Sequence, residues 1–157
     1  MKVAIANDKG GYRLKAAIVK KLADEGYEVL DYGTQSPEES KEHALAGEQV
    51  ALAVQSGAAE RGILLCGTGM GVSLAANKHK GVYAAPVESV FAAKHCRLIN
   101  DCNVMCIGGY ILGEYMALEM ADAFLKTPFA DHFEEGRARY LRSQYERIAA
   151  IEDKNFR

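Results

Sequence analysis

The fold this sequence predicts is a three-layer α/β sandwich, a five-stranded parallel sheet with helices on both faces. Two observations lead there. Short apolar segments alternate with amphipathic ones along the chain, and the stretch between successive apolar segments is long enough to hold a helix. A glycine-rich turn, Cys66-Gly67-Thr68-Gly69-Met70-Gly71, also joins an apolar run to a helical one. A strand that feeds a helix through such a turn marks the usual binding crevice of a parallel sheet.

Taken in order, Lys2 to Ala6 reads as the first strand. From Tyr12 to Glu25, Leu14, Ile18, Val19 and Leu22 recur at helical spacing, and Gly26 stops the helix. Tyr27 to Tyr32 is a second strand, followed by the loop Gly33-Thr34-Gln35-Ser36-Pro37. Ala44 to Ser56 is helical and closes at Gly57; Ile63 to Cys66 is the third strand and Met70 to His79 the helix after it. Val82 to Val87 and Val104 to Ile107 complete the strands, with helices at Ser89 to Leu98 and Gly113 to Leu125. A long charged helix spans about 133–152. The expected strand order is 2-1-3-4-5, which makes strands one and three neighbours at the switch point. Their loops, Asn7-Asp8-Lys9-Gly10-Gly11 and Cys66 to Gly71, then face each other across one crevice.

At 157 residues and 49% hydrophobic content, the chain suffices for one domain with its own core. No linker, repeat or low-complexity stretch divides it, so residues 1–157 read as a single domain. A net charge of −2 argues against binding to nucleic acid or to an anionic membrane. No apolar run approaches the roughly 18 residues that span a bilayer. The first residues lack the pattern of a signal peptide, which leads to the expectation of a cytoplasmic protein. Cys66, Cys96, Cys102 and Cys106 form no CxxC pair and have no His at zinc spacing, so reduced thiols and no metal are expected. Cys96, Cys102 and Cys106 read as packing residues, and His79, His95 and His132 as surface or helix-end residues.

The glycines at 67, 69 and 71 let the backbone point several N–H groups at one spot, and the helix N-terminus adds partial positive charge there. Such a place suits a substrate that is, or becomes, negative. Cys66 is open to three readings: nucleophile, general base, or small core residue. A nucleophilic thiol usually needs a histidine, and none flanks either loop; base chemistry needs only a proton within reach. Thr68 serves either a substrate oxygen or the helix cap. Asp8 serves either sugar hydroxyls or the next helix, and Lys9 either an anion or solvent. Arg137, Arg139, Arg142 and Arg147 read first as a solvated face, with phosphate binding the minority reading. Neither GxGxxG after the first strand nor a P-loop is present, which leaves a nucleotide-binding domain poorly supported.

Cys66-Gly67-Thr68-Gly69-x-Gly71, with Ala75-Ala76-Asn77-Lys78 and Gly81 behind it, resembles the signature of type B ribose-5-phosphate isomerases. The LacA and LacB subunits of galactose-6-phosphate isomerase share that family. The resemblance extends over Asp8, Asp31-x-Gly33-Thr34, Gln49 to Val54, Asn100-Asp101-x-Asn103-Val104 and Ile148-x-Ala150-Ile151-Glu152. It implies a Rossmann-like homodimer or tetramer whose sites are shared between subunits, the C-terminal helix packing on a partner. It also implies aldose–ketose interconversion of a sugar phosphate through an enediolate, without metal or other cofactor. Carried over, Cys66 is the base between C1 and C2 and Thr68 assists it. The Gly67, Gly69 and Gly71 amides face the enediolate, and Asp8, Lys9, Asn100, Arg137, Arg139 and Arg142 bind substrate.

The departures bear on the substrate. Ribose-specific members carry Asp-His where this chain has Asp8-Lys9, and a ring-opening His where it has Ile99. A family Tyr-Pro pair is replaced near His43-Ala44, and Tyr110 stands where an arginine serves phosphate. Some members place a glutamate base where this chain has Val72, which favours Cys66. Isoleucine transfers no proton, so the expectation is an intact catalytic half with retuned recognition. The expected reaction is of the ribose 5-phosphate/ribulose 5-phosphate type, with an open-chain tetrose phosphate or another pentose or hexose phosphate as alternative substrates. The alternative is a non-catalytic or partner-dependent subunit, or a sugar-binding protein.

Overall fold

Residues 1–156 are described by a computed structural model. Strands β1 (Lys2–Asn7), β2 (Glu28–Asp31), β3 (Arg61–Cys66), β4 (Ala84–Pro86) and β5 (Val104–Gly108) form one parallel sheet. Its order is β2-β1-β3-β5-β4, so the last two strands are exchanged relative to the sequence expectation. The physical reason lies in the two segments. β5 is buried along its whole length, as a central strand of a doubly covered sheet must be. β4 has three residues and ends in Pro86, which has no N–H to donate, and it takes the edge.

The strands are apolar on both sides, and alternate residues serve different layers. Val3, Ile5, Ile63, Leu65, Met105 and Ile107 face helices α1 (Tyr12–Asp24), α4 (Val90–Leu98) and α5 (Glu114–Lys126). Ala4, Ala6, Leu64, Cys66, Val104 and Cys106 face α2 (His43–Gln55) and α3 (Met70–Ala76). The small residues on this second face let α2 and α3 approach the sheet closely. On the first face Leu14, Ile18, Leu22, Met120 and Phe124 are fully buried, each worth about 1.5–3 kcal/mol of transfer free energy.

Helix α6 (Glu135–Asn155) begins and ends slightly later than expected. Ala138 and Leu141 pack with Ala130, Ile99, Phe129 and Phe133 in a small separate cluster. Further along, Tyr145 meets Tyr83 edge-on at 5.4 Å, and Glu152 accepts from the Gly81 amide at 2.9 Å and the Tyr83 hydroxyl at 3.1 Å. Tyr140, Ile148 and Ile151 remain exposed. Among the described residues, no helix is long and apolar enough to cross a membrane.

Candidate active site

Because β5 lies beside β3, the C-terminal ends of β1, β3 and β5 sit side by side, and three βα loops converge. Asp8 donates its amide to the Leu65 carbonyl at 3.0 Å. Gly109 donates to the Cys66 carbonyl at 2.8 Å and Tyr110 to the Gly67 carbonyl at 3.0 Å. The loops therefore hang on one another by backbone hydrogen bonds, which are insensitive to side-chain identity and fix the crevice.

Cys66 is the last residue of β3 and 5% exposed. Its sulfur accepts the Gly69 amide at 3.0 Å. Gly69 makes this contact as the N-cap of α3 with φ +78°, and a Cβ there would stand 3.0 Å from the Ile107 backbone. Only glycine meets both demands. The amides of Met70, Gly71 and Val72 open α3 and have no carbonyl a turn earlier to bond, as at any helix start. Thr68 is exposed, and its hydroxyl caps Met70 only at 3.4 Å. Gly67 lies between Cys66 and Thr68 in the same turn.

On the β1 side, Asp8 accepts the Gly10 amide at 2.8 Å and caps the short 3-10 turn Lys9–Gly11, with Lys9 exposed on its outer side. Behind it Asn7, fully buried, donates to the Asp8 carbonyl at 2.7 Å and the Thr34 hydroxyl at 2.8 Å, and accepts the Thr34 amide at 3.1 Å. The Asp31-x-Gly33-Thr34 segment is thus a brace. Asp31 accepts the Gly33 amide at 2.8 Å and pairs with the buried Lys15 ammonium at 2.8 Å.

Two side chains that sequence reasoning left out of the site complete it. The Tyr110 ring covers Gly67 and Gly10 at once: a Cβ on Gly67 would lie 2.6 Å from Cε2, and one on Gly10 would lie 3.1 Å from Cζ. The ring is nonetheless 80% exposed, and it forms an outer wall over both loops. His43, at the start of α2, lays its imidazole against Gly71, where a Cβ would be 2.7 Å from Cδ2. The expectation that no histidine flanks either loop is corrected here. Packing of α2 on α3 closes a separation of 28 residues in sequence, which periodicity alone does not reveal. Asn7 was the most legible of the missed residues, a polar residue closing an apolar strand.

The structure divides the remaining expected residues from this group. Asn100 and Arg137 line another cavity, of about 270 Å³, with Ile99, Tyr140 and Tyr145. The Arg137 guanidinium lies over the Phe133 and Tyr140 rings at 5.9 and 5.4 Å. Arg139 and Arg142 are exposed on α6. Ile99 belongs to the apolar cluster under α6. His95, one turn before it, is held by its own helix: Nδ1 lies 2.8 Å from the Phe91 carbonyl and the ring stacks on Phe91 at 3.8 Å. Cys106 is enclosed, and burial pushes its thiol well up. Among the described residues, no three His, Cys, Asp or Glu side chains group as metal ligands.

A family model described as Ribose/Galactose Isomerase matches residues 3–141, spanning all three loops. The chain belongs to that family, and it is an isomerase. The 4-deoxy-4-sulfo-D-erythrose isomerase of Clostridium sp. (strain MSTE9) is 45% identical over 157 residues, covering 100% of this chain and 99% of that protein. Ribose-5-phosphate isomerase B of Escherichia coli (strain K12) is 39% identical over 153 residues, 98% and 97% of the two chains. The solved ribose-5-phosphate isomerase B of Clostridium thermocellum superposes with a TM-score of 0.89 at 39% identity, covering 99% of each chain. That solved structure and this chain share the whole fold, the long α6 included.

Proposed function

We propose that the protein is an aldose–ketose isomerase of a four-carbon sugar whose C4 carries an anionic group, sulfonate or phosphate, with Cys66 as the base. Ile99 carries this reading. Its side chain is in an apolar cluster, and His95, one helical turn earlier in the sequence, is tied to Phe91. The position offers no proton donor for opening a sugar ring. A four-carbon aldose substituted at C4 has no hydroxyl placed to close a five-membered ring, so it needs none. The 45% identical relative, whose name is 4-deoxy-4-sulfo-D-erythrose isomerase, supports sulfonate as that group.

In this mechanism the Cys66 sulfur takes the proton from C2 of the bound aldehyde. The electrons move to the carbonyl oxygen to give an enediolate, and the proton returns to C1 while O1 and O2 exchange theirs. The developing charge falls beside the opening amides of α3, fixed donors that need not reorganise. Thr68 and Asp8 face the sugar hydroxyls, and Lys9 is an exposed cation of the β1 loop. The exposed Tyr140, Ile148 and Ile151 of α6 support the reading that this helix packs on a second subunit. In that assembly, a dimer or tetramer, Arg137, Arg139 and Arg142 of one chain serve the neighbour's site.

The test is a rate comparison among 4-deoxy-4-sulfo-D-erythrose, D-erythrose 4-phosphate and ribose 5-phosphate. A four-carbon substrate should exceed ribose 5-phosphate by at least roughly 10-fold in kcat/KM. Preference for ribose 5-phosphate would overturn the four-carbon reading. Turnover that appears only with a paralogous chain present would make this a partner-dependent subunit instead.

A further inference from the structure

Isomerisation through an enediolate moves two kinds of proton. Cys66 handles the one bound to carbon; another must pass between O1 and O2. Thr68 offers only a hydroxyl, which does not change charge near neutrality, and Asp8 is engaged in capping the β1 loop at 2.8 Å.

The fold places a histidine beside this chemistry. Each crossover of a parallel sheet starts its helix at the C-terminal edge of the strands, so the first residues of α2 and α3 lie along the edge where Cys66 ends β3. The two helices pack side by side in matched turns. A Cβ on Gly47 would stand 2.7 Å from the Ala75 Cβ and 2.8 Å from the Val72 carbonyl oxygen. One turn earlier on each helix, the His43 ring meets Gly71. A helical Cβ tilts toward the N-terminus. The space that a Cβ on Gly71 would take is filled by His43, with Cδ2 at 2.7 Å and Nε2 at 3.2 Å. The imidazole thus supplies, at the opening of α3, the side chain that Gly71 lacks.

Cys66 belongs to the sheet face that α2 and α3 cover, so thiol and ring share a face as well as an edge. His43 is also exposed, as a group that meets a substrate must be. The other three histidines are engaged elsewhere. His95 bonds the Phe91 carbonyl, His132 pairs with Asp131, and His79, past the far end of α3, has its Nδ1 buried.

We propose that His43 is a second catalytic residue, which carries the hydroxyl proton between O1 and O2 while Cys66 carries the proton from C2 to C1. This role rests on the reading of Cys66 as the isomerase base. As the Cys66 thiolate takes the C2 proton, the carbonyl electrons move onto O1, and the imidazolium gives O1 a proton to form the enediol. The neutral ring then takes the proton from O2. The C2–O2 bond becomes a carbonyl while C1 takes the proton from the Cys66 thiol. Thiolate and imidazolium are both regenerated, and no proton is gained or lost.

The experiment follows 4-deoxy-4-sulfo-D-erythrose and D-erythrose 4-phosphate in heavy water by proton NMR, with wild type, His43→Gln and His43→Ala. Without the ring, the enediolate forms and collapses back to aldose. His43→Gln should lower product formation by about 10²-fold or more, while deuterium enters C2 of the recovered aldose within about 10-fold of the wild-type rate. Free imidazole should raise product formation by His43→Ala. Product formation within about 3-fold of wild type in His43→Gln would overturn the proposal. So would exchange and conversion that fall in step and that imidazole does not relieve in His43→Ala, since the ring would then only position the α3 loop. Failure of the isomerase reading itself would show differently, as wild type that neither exchanges nor converts either sugar.

Discussion

The His43 imidazole lies against the Cα of Gly71, so close that a methyl group on residue 71 would stand 2.7 Å from Cδ2. The glycine that opens α3 is thus a socket for a side chain from α2 as well as a backbone donor. Gly71→Ala should force the ring aside, lower kcat/KM by about 10-fold or more, and cost about 1–3 kcal/mol in urea unfolding. Adding His43→Ala should restore the stability but not the activity. Recovery of both would show the ring to be mere packing.

Gly69 meets a harsher constraint. Its φ of +78° costs a residue with a Cβ about 1–2 kcal/mol, before the 3.0 Å approach to Ile107 is counted. Gly69→Ala should therefore lower stability by at least about 1–2 kcal/mol. It should also pull the amide from the Cys66 sulfur and change the rate at which iodoacetamide alkylates Cys66. Unchanged alkylation would show that the 3.0 Å contact is incidental.

The brace behind the β1 loop depends on Lys15 and Asp31, 4% and 21% exposed at the side chain. Asp31→Ala leaves a buried ammonium without its partner and should cost about 3–5 kcal/mol. Lys15→Met in the same chain should recover most of that loss, because the pair is then replaced rather than broken. Chemical unfolding of the single and double variants measures both.

Lys21, Glu25, Asp122 and Lys126 form an ion cluster between α1 and α5. Burial works to raise the Asp122 carboxyl, yet the ammonium groups of Lys21 and Lys126, each paired with it at 3.0 Å, outweigh it and hold the group below its ordinary value; Lys21 does the same for Glu25. Depressed carboxylates contribute stability that is present above their unfolded pKa, about 4. That contribution is lost as pH falls through the lower folded values. Lys21→Met should flatten the acid limb of the stability profile below about pH 4 and leave its shape near neutrality unchanged. An unaltered acid limb would remove the cluster from the acid response.

Much of this was legible in the chain. The apolar runs and the glycines at 67, 69 and 71 placed Cys66 at a strand end before a helix, and the crevice between the β1 and β3 loops followed from topology alone. The placement of β5 beside β3 was legible in principle, since Pro86 marks an edge strand, but segment order argued more loudly than strand length. His43 and Tyr110 were not legible as neighbours of the glycines. Their positions depend on how α2 meets α3 and how the β5 loop folds back, which are tertiary facts with no periodic signature. Thr34 and Asp31 appeared as a motif without a role, and only the partners Asn7 and Lys15 explain them.

Proton transfer by Cys66 is the centre of the account, and hydrogen exchange reads it directly. The measurement is proton NMR of the four-carbon substrate in heavy water, with wild type and Cys66→Ala side by side. Wild type should place solvent deuterium at the transferred position, and Cys66→Ala should slow this by about 10²–10⁴-fold while remaining folded. A variant that exchanges the substrate at the wild-type rate would contradict the assignment of Cys66 as the base.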